Sequence, residues 1–173
     1  MENKSIQKKN KPEIVLLSLG SNLGNKKENI ERALEFLKNR KILKDIEVSS
    51  FYKTEPVGFK DQPEFLNVAV LGRTYLSASE LLSECKNIEK KLGRKERPRW
   101  HEREIDLDII LYGSYQIHSE ELSIPHPQAE NRRFVLVPAN EIAAEMVFPN
   151  KNKTIKKMLA DCNDNSKVTK LHY

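Results

Sequence analysis

The order of strand-like and helix-like patterns constrains the fold of this chain most. Apolar and β-branched runs of strand length alternate with two stretches in which apolar residues recur at helical spacing. The order strand, helix, strand, strand, helix, strand is typical of a split βαβ unit, in which two helices cover one face of an antiparallel sheet. We therefore predict an α+β, ferredoxin-like sandwich with helices packed on the sheet. The predicted strands are 14–19, 45–52, 65–74 and 105–112, and the predicted helices are 24–38 and 77–92.

Cap and turn residues mark where some of these elements begin and end. Ser77 and Glu80 have the spacing of a capping box at the start of the second helix. Residues 20–22, Gly-Ser-Asn, are typical of a turn after the first strand. Beyond residue 112, Pro127 and Pro138 limit helix formation, so the only further helix that we predict there is at 155–159.

Length and hydropathy favour one domain outside the membrane. The 173 residues suit a single compact domain. No apolar run exceeds four residues, whereas a membrane-spanning helix needs about 20. The first twelve residues lack the hydrophobic stretch of a secretory signal, and two cysteines do not make a disulfide framework. We therefore expect a cytoplasmic protein with no membrane partner, and we expect a monomer.

The basic character of the chain comes from its ends. Of the formal net charge of +5, residues 1–12 carry +3 and residues 150–173 carry +4, so the body between them is at −2. We predict a single domain at 13–160 between basic, flexible tails at 1–12 and 161–173. Because a globular nucleic-acid binder usually carries its positive charge on the folded domain, we expect no nucleic-acid partner.

The strand predicted at 105–112 carries a pair of carboxylates. Side chains alternate along a strand, so Asp106 and Asp108 share one face, with Cα atoms about 6.6 Å apart. At that spacing two carboxylates can converge on divalent cations, and Mg²⁺ prefers such oxygen ligands together with substrate phosphates. An ordinary polar outer face is the alternative. The alternation places Ile105, Leu107, Ile109 and Leu111 on the opposite face, and Ile110 and Tyr112 on that of the aspartates.

A cluster of basic residues lies directly before these aspartates. Residues 90–103 hold seven positive and two negative side chains, a net charge of +5. A solvated loop is the plain interpretation; beside metal carboxylates, the same charges suit a triphosphate. Residues 20–27 have the spacing of neither a P-loop nor a Rossmann fingerprint, so we interpret them as a turn and helix cap.

Phe65 and Asn67 form a second constellation, because residues two apart share one face of a strand. An aromatic ring beside a carboxamide can stack on a planar heterocycle and hydrogen-bond its edge. A core phenylalanine with an asparagine near the strand end is the alternative.

Four stretches, taken in order, resemble the motifs of hydroxymethyl-dihydropterin pyrophosphokinases, which are enzymes of folate biosynthesis. They read L-G-S-N-L-G at 19–24, S-S-F-Y-K-T-E-P-V-G at 49–58 followed by D-Q-P-E-F-L-N at 61–67, R-W-H-E-R-E-I-D-L-D at 99–108, and I-P-H-P at 124–127 with N-R-R-F at 131–134. The resemblance covers about residues 13–160. It implies a ferredoxin-like fold and transfer of pyrophosphate from ATP to the hydroxymethyl group of 6-hydroxymethyl-7,8-dihydropterin, with release of AMP.

The resemblance also implies a set of site residues. Two Mg²⁺ ions are expected on Asp106 and Asp108, with ATP as the co-substrate and the pterin as the second small-molecule partner. A mobile catalytic loop is implied at about 93–103, in which Arg97 also lies. The expected catalytic residues are Arg94, Arg99, Arg103 and Asp108. The expected ATP contacts are Glu89, Arg94, Trp100, Arg103, Ile109, His126 and Arg132, and the expected pterin contacts are Thr54, Pro56, Val57, Phe65, Asn67, Trp100, Asp106 and Phe134.

The chain departs from the family pattern, most clearly at 101–102, and leaves two other function classes open. His101 and Glu102 stand where the family commonly has Gly-Pro, which brings a negative charge near the phosphates. A metal-dependent transferase that uses nucleotide sugars would explain the aspartates but not Phe65 and Asn67. An RNA-binding ferredoxin-like module would use sheet aromatics, but the aromatic motif of RNA-recognition domains is missing from the sequence.

Overall fold

The computed structural model describes residues 11–173, so most of the predicted N-terminal tail, 1–12, lies outside the described residues. The described part holds four α-helices and ten strands. In chain order they are β1 (Glu13–Ser21), α1 (Lys26–Asn39), β2 (Lys44–Val48), β3 (Tyr52–Thr54), β4 (Phe65–Thr74), α2 (Ala78–Lys91), β5 (Asp106–Tyr112), β6 (Ile117–His118), β7 (Ser123–Ile124), a 3-10 turn (Ala129–Asn131), α3 (Arg133–Ala143), β8 (Val147–Phe148), β9 (Lys153–Thr154), α4 (Ile155–Asp161) and β10 (Val168–Lys170).

The central sheet confirms the predicted fold class. Its strands are antiparallel and follow the order β10, β3, β4, β1, β5, with β2 also paired to β4. The apolar faces of α1 and α2 pack on one side of this sheet and form the larger core with alternate residues of β1, β4 and β5. The capping box of α2 is present, because Ser77 and Glu80 exchange hydrogen bonds between side chain and backbone. This is the split βαβ arrangement with two helices on one face.

A second helical layer covers the other face of the sheet, and of its two helices only α4 was predicted. Helix α3 packs there with α4 and forms a smaller core with residues such as Ile110 and Leu111. Pro138 lies inside α3, although it removes a helical hydrogen bond at a cost of about 3 kcal/mol. Burial of Val135 and Leu136 returns roughly 1.5–3 kcal/mol each, so tertiary packing outweighs the local preference. The helix predicted at 155–159 is confirmed as α4.

The strand predicted at 45–52 is divided into β2 and β3 around Ser49. The Ser49 amide donates to the Ala69 carbonyl at 3.0 Å, while the Ser49 hydroxyl accepts from the Ala69 amide at 2.9 Å. A side-chain oxygen thus replaces a backbone carbonyl in the ladder and interrupts the regular pairing. Both strands remain along the same edge of β4.

A β-bulge changes the predicted alternation in the second half of β5. Leu17 pairs with Ile109, but the next residue back, Leu16, pairs with Leu111, so Ile110 is an extra residue on the β5 side. Leu111 therefore joins the core under α3, and Tyr112 joins the core under α1 and α2, both opposite to prediction. The alternation over 106–109 is unaffected.

The C-terminal residues include an ordered strand. Residues 168–170, within the tail predicted to be flexible at 161–173, pair as β10 with β3 at the sheet edge. The Leu171 amide continues the contact by donating to the Phe51 carbonyl at 2.8 Å. Within residues 11–173, no helix is long and apolar enough to cross a membrane.

Candidate active site

A cavity of about 450 Å³ lies on the α3 side of the sheet, next to the N-terminal end of that helix. Along β1, β4 and β5, alternate side chains enter the larger core, and some of those between them face the cavity. The start of α3 and the loop before β5 complete the walls. The lining residues are Ser18, Gly20, Thr54, Glu55, Val57, Phe65, Asn67, Arg94, Arg99, Trp100, His101, Arg103, Asp106, Asp108, His126, Pro127, Gln128, Arg132 and Phe134.

Gly20 occupies the centre of the cavity floor. It pairs with Asn67 of β4 on one side and with Asp106 of β5 on the other. Adjacent strands are about 4.8 Å apart, so these two neighbours are about 10 Å apart across the glycine. A methyl group at Gly20 would lie 2.6 Å from Asn67 Oδ1. The floor is therefore flat between an amide and a carboxylate only because residue 20 has no side chain.

The β4 side of the floor offers a site for a flat, polar-edged ring. Asn67 is 3% exposed, and its Nδ2 donates to Thr54 Oγ1 at 2.6 Å, so the orientation of the carboxamide is fixed. Phe65 and Phe134 both line the same cavity, as predicted for an aromatic site. Val57 lines it as well, whereas Pro56 does not.

The β5 side of the floor is anionic. Burial raises the pKa of Asp106 to about 6; the charge of Arg94 lowers this pKa and the charge of Asp108 raises it. Burial also raises the pKa of Asp108, against the effects of Arg132 and Arg94. Asp108 is open to water within the cavity, but protein atoms surround it on most sides, and those surroundings dominate the shift. Both carboxylates thus lie where cations are favoured.

An ion pair between Arg94 and Glu89 lies next to the Asp106 carboxylate. Arg94 donates to Asp106 at 2.9 Å and also pairs with Glu89. Glu89 is 9% exposed and accepts from the Leu107 amide at 2.8 Å; its burial raises its pKa to about 7. Glu89 does not line the cavity, so its effect on a ligand would pass through Arg94 and β5. Ile109, also predicted at the ATP site, packs in the larger core, and its side chain does not reach the cavity.

Cationic and aromatic side chains alternate over the cavity mouth. The Arg99 guanidinium lies 4.8 Å from the Trp100 ring centre, and the Arg132 guanidinium lies 5.4 Å from the same ring centre. Arg132 is also 5.7 Å from the Phe134 ring centre. Trp100 has a φ of 72°, and Gln62 Nε2 donates to its carbonyl at 2.6 Å. Arginine forks held in this way suit phosphate oxygens.

The loop before β5 is tied down at two points. Asn22 accepts from the Arg103 amide at 2.8 Å through Oδ1, and the Asn22 amide donates to the Arg103 carbonyl at 3.1 Å. Arg97, predicted in the mobile loop, instead forms two hydrogen bonds with the Glu104 carboxylate, at 2.8 and 2.7 Å. Arg97 does not line the cavity, whereas Arg99 does.

His126 is neutral at the cavity wall. Burial lowers its pKa to about 4, and the positive charge of Arg132 contributes. Its Nδ1 accepts from the Gln128 amide at 3.2 Å, so the ring proton is on Nε2. The residue can therefore donate one hydrogen bond to a ligand oxygen.

Several cavity residues were missed by the sequence prediction: Ser18, Gly20, His101, Pro127 and Gln128. Ser18 and Gly20 could have been found, since they alternate with Leu17 and Leu19 of the larger core. They were not assigned because residues 20–22 were predicted as a turn, whereas β1 continues to Ser21. His101, which with Glu102 stands where the family commonly has Gly-Pro, stacks on Phe59 with ring centres 5.1 Å apart.

The donor set fits magnesium shared with a phosphate ligand. Among residues 11–173, no group of three or more histidine, cysteine or acidic side chains is arranged to hold a metal ion. Asp106 and Asp108 therefore offer two carboxylates and no closed cage. Mg²⁺ is commonly held by one or two carboxylates, with substrate phosphates and water completing its coordination.

Comparisons with known proteins agree with this chemistry. The family model described as 7,8-dihydro-6-hydroxymethylpterin-pyrophosphokinase (HPPK) matches residues 16–144. The chain is 43% identical over 134 residues to the 2-amino-4-hydroxy-6-hydroxymethyldihydropteridine pyrophosphokinase of Haemophilus influenzae, covering 78% of this chain and 84% of that protein. It is 41% identical over 133 residues to the enzyme of the same name from Bacillus subtilis, covering 77% and 80%.

Solved structures are similar in fold. The wild-type HPPK-DHPS of Plasmodium falciparum superimposes with a TM-score of 0.69 at 18% identity, covering 87% of this chain and 44% of that one. An HPPK-DHPS in complex with substrates has the same TM-score at 17% identity, covering 86% and 43%. This chain thus spans less than half of those longer chains, and the similarity supports the shared fold.

Proposed function

This chain belongs to the 7,8-dihydro-6-hydroxymethylpterin-pyrophosphokinase family, and we propose that the cavity described above is its active site. Members of this family transfer pyrophosphate from ATP to 6-hydroxymethyl-7,8-dihydropterin in folate biosynthesis, with release of AMP, and this chain does the same. The placement of Asn67 and Asp106 on opposite sides of Gly20 carries this proposal. It sets an amide that can recognise the pterin beside carboxylates that can serve the phosphates. The family assignment also removes the nucleotide-sugar transferase and the RNA-binding module as explanations.

The pterin occupies the β4 side of the floor in this proposal. Phe65 and Phe134 enclose the bicyclic ring, and the Asn67 carboxamide hydrogen-bonds the ring edge. Thr54 holds Asn67 in place, while Val57 covers the mouth. The hydroxymethyl group then points across Gly20 toward Asp106, which also contacts the substrate. Pro56 contributes through the path of the backbone between Glu55 and Val57.

The triphosphate occupies the β5 side, beneath the arginines. Arg94, Arg99 and Arg103 neutralise the charge of the transferring group, and Arg132 and Trp100 contact the nucleotide from the mouth. His126 donates from Nε2 to a phosphate or ribose oxygen. Glu89 keeps Arg94 in position rather than contacting ATP directly.

Asp106 and Asp108 would hold Mg²⁺, which we propose as two ions shared with the phosphates. When bound, magnesium would neutralise phosphate charge and make the substrate hydroxyl more acidic. The new bond forms between the hydroxymethyl oxygen and the β-phosphorus, and the bond from that phosphorus to the α,β-bridging oxygen breaks. AMP leaves with the bridging oxygen, and Asp106 accepts the hydroxyl proton.

We propose that the enzyme is a monomer. We propose that it acts in the cytoplasm, and that ATP and the pterin are its partners, without nucleic acid or membrane.

The nucleotide product tests this function. The protein is incubated with ATP, Mg²⁺ and 6-hydroxymethyl-7,8-dihydropterin, and the nucleotides are separated and counted. We expect AMP and the pterin diphosphate in equal amounts, and none of either when the pterin is omitted. Formation of ADP would contradict pyrophosphate transfer, and the absence of turnover in magnesium-free buffer containing a chelator would support the metal assignment.

A further inference from the structure

The last residues of the chain contact both walls of the proposed pterin site. We define residues 164–171 as the C-terminal brace; they follow the region matched by the family model, which ends at residue 144. One arm of the brace is β10, in which Val168 pairs with Thr54. Thr54 is the residue that fixes the Asn67 carboxamide. The brace thus borders the wall that recognises the ring edge.

The other arm of the brace reaches the start of α3. Helix α3 has Arg132 as its N-cap residue, and the Arg132 side chain makes no capping hydrogen bond. Asp164 supplies the missing acceptor from 31 residues away, since its Oδ2 accepts from the Arg133 amide at 2.8 Å. A carboxylate at this end of a helix is favoured by both the free amide and the helix dipole.

The same carboxylate is locked within the brace. Asp164 Oδ1 accepts from the Ser166 amide at 2.9 Å, so one side chain joins the first turn of α3 to the turn leading into β10. Arg132 and Phe134, on either side of the capped residue, both line the cavity. Arg132 also lies over the rings of Trp100 and Phe134. Movement of this first turn would therefore displace one face of the pterin site and one phosphate-binding arginine.

We propose that Asp164 is a positioning residue for pyrophosphate transfer: through the Arg133 amide it fixes Arg132 and Phe134 against the bound substrates. This inference rests on the proposed function of the cavity. Asp164 touches neither substrate, and its effect passes through the helix end.

The test compares Asp164→Ala with Asp161→Ala in the full-length protein. Asp161 is a matched control, because its carboxylate binds Lys153 and Lys157 and not the start of α3. We expect Asp164→Ala to raise the KM for the pterin by about three- to tenfold, with kcat changed less than about twofold. A loss of folded protein would instead lower the apparent kcat at an unchanged KM. Asp161→Ala should match the wild type in both constants.

A second measurement needs no turnover. Trp100 is the only tryptophan of the chain, and it contacts Arg132, so its emission reports on the cavity wall. We expect Asp164→Ala, but not Asp161→Ala, to change the intensity of this emission in the ligand-free protein. An inactive wild type would refute the proposed function, while the fluorescence comparison would still test the link between the brace and the cavity.

Asp164→Asn keeps an oxygen acceptor but makes it weaker, because hydrogen bonds to charged groups are stronger. We expect a rise in the pterin KM of about twofold, between the wild type and Asp164→Ala. If Asp164→Ala does not fold, this variant decides the question. An unchanged KM and an unchanged Trp100 emission in the variant that folds would overturn the positioning role.

Discussion

Gly20→Ala is expected to damage pterin recognition without damaging the fold. The added methyl group would lie 2.6 Å from Asn67 Oδ1, and side-chain Cβ atoms essentially never approach another atom within 3.0 Å. The carboxamide must therefore move by at least 0.4 Å, the difference between these distances. Its 2.6 Å hydrogen bond to Thr54 is buried, so little room exists for the movement. Misalignment of one such neutral hydrogen bond is worth about 0.5–1.5 kcal/mol.

That free energy corresponds to a rise in the pterin Kd of about two- to tenfold. The assay is a pterin titration by calorimetry at fixed Mg²⁺ and ATP analogue, together with AMP release at varied pterin concentration. Gly72→Ala is the matched control, since it adds the same methyl group on the neighbouring β4 strand, 3.2 Å from the Lys44 carbonyl and away from the cavity. It should leave the pterin Kd unchanged. An equal pterin affinity of Gly20→Ala and wild type, with both folded, would refute the assignment of Asn67.

Three further outcomes follow from the charged groups of the site. Asp108→Asn should lower kcat at least about 100-fold. It should also raise the Tm of the ligand-free protein, because burial disfavours the charge of Asp108. A lower Tm in calorimetric scanning would contradict the unfavourable burial of this charge. Glu104→Gln and Arg97→Ala should each lower the unfolding free energy. The double variant should lower it by no more than either single variant, since both break one pair in which Arg97 lowers the pKa of Glu104 to about 2; additive losses in urea unfolding would argue against the pair. His126 has a pKa of about 4 in the fold and about 6.5 in the unfolded chain. As the pH falls from 6.5 to 4, the unfolded chain takes up the proton first, so the wild type loses stability. Over that window His126→Gln should lose about 1–3 kcal/mol less unfolding free energy, measured by urea unfolding, and parallel pH profiles would contradict the buried neutral histidine.

Local patterns were sufficient wherever short-range chemistry decides the structure. Strand β4 was predicted at 65–74 and is observed at Phe65–Thr74. The two agree because this run of apolar and β-branched residues has turn-forming residues on both sides. The capping box fixed the start of α2. The alternation around Asp106 and Asp108 placed both on one face, and the structure confirms that both face the cavity.

Tertiary contacts decide what the sequence could not show. Helix α3 forms around Pro138 because it buries an apolar face on a side of the sheet that no local pattern reveals. The bulge at Ile110 reverses the two residues after it and has no local signal. The Asp164 cap and the Asn22 contact with Arg103 join residues 31 and 81 positions apart. Gly20 is different, since the alternation along β1 places it on the cavity face once the strand is extended to Ser21.

A crystal structure with 6-hydroxymethyl-7,8-dihydropterin, a non-hydrolysable ATP analogue and Mg²⁺ tests the central claim most directly. The account predicts the pterin ring between Phe65 and Phe134 with its edge on Asn67, its hydroxyl directed across Gly20, and metal density touching Asp106 and Asp108. Ligands bound elsewhere, or a pterin in place with both aspartates free of metal, would contradict it.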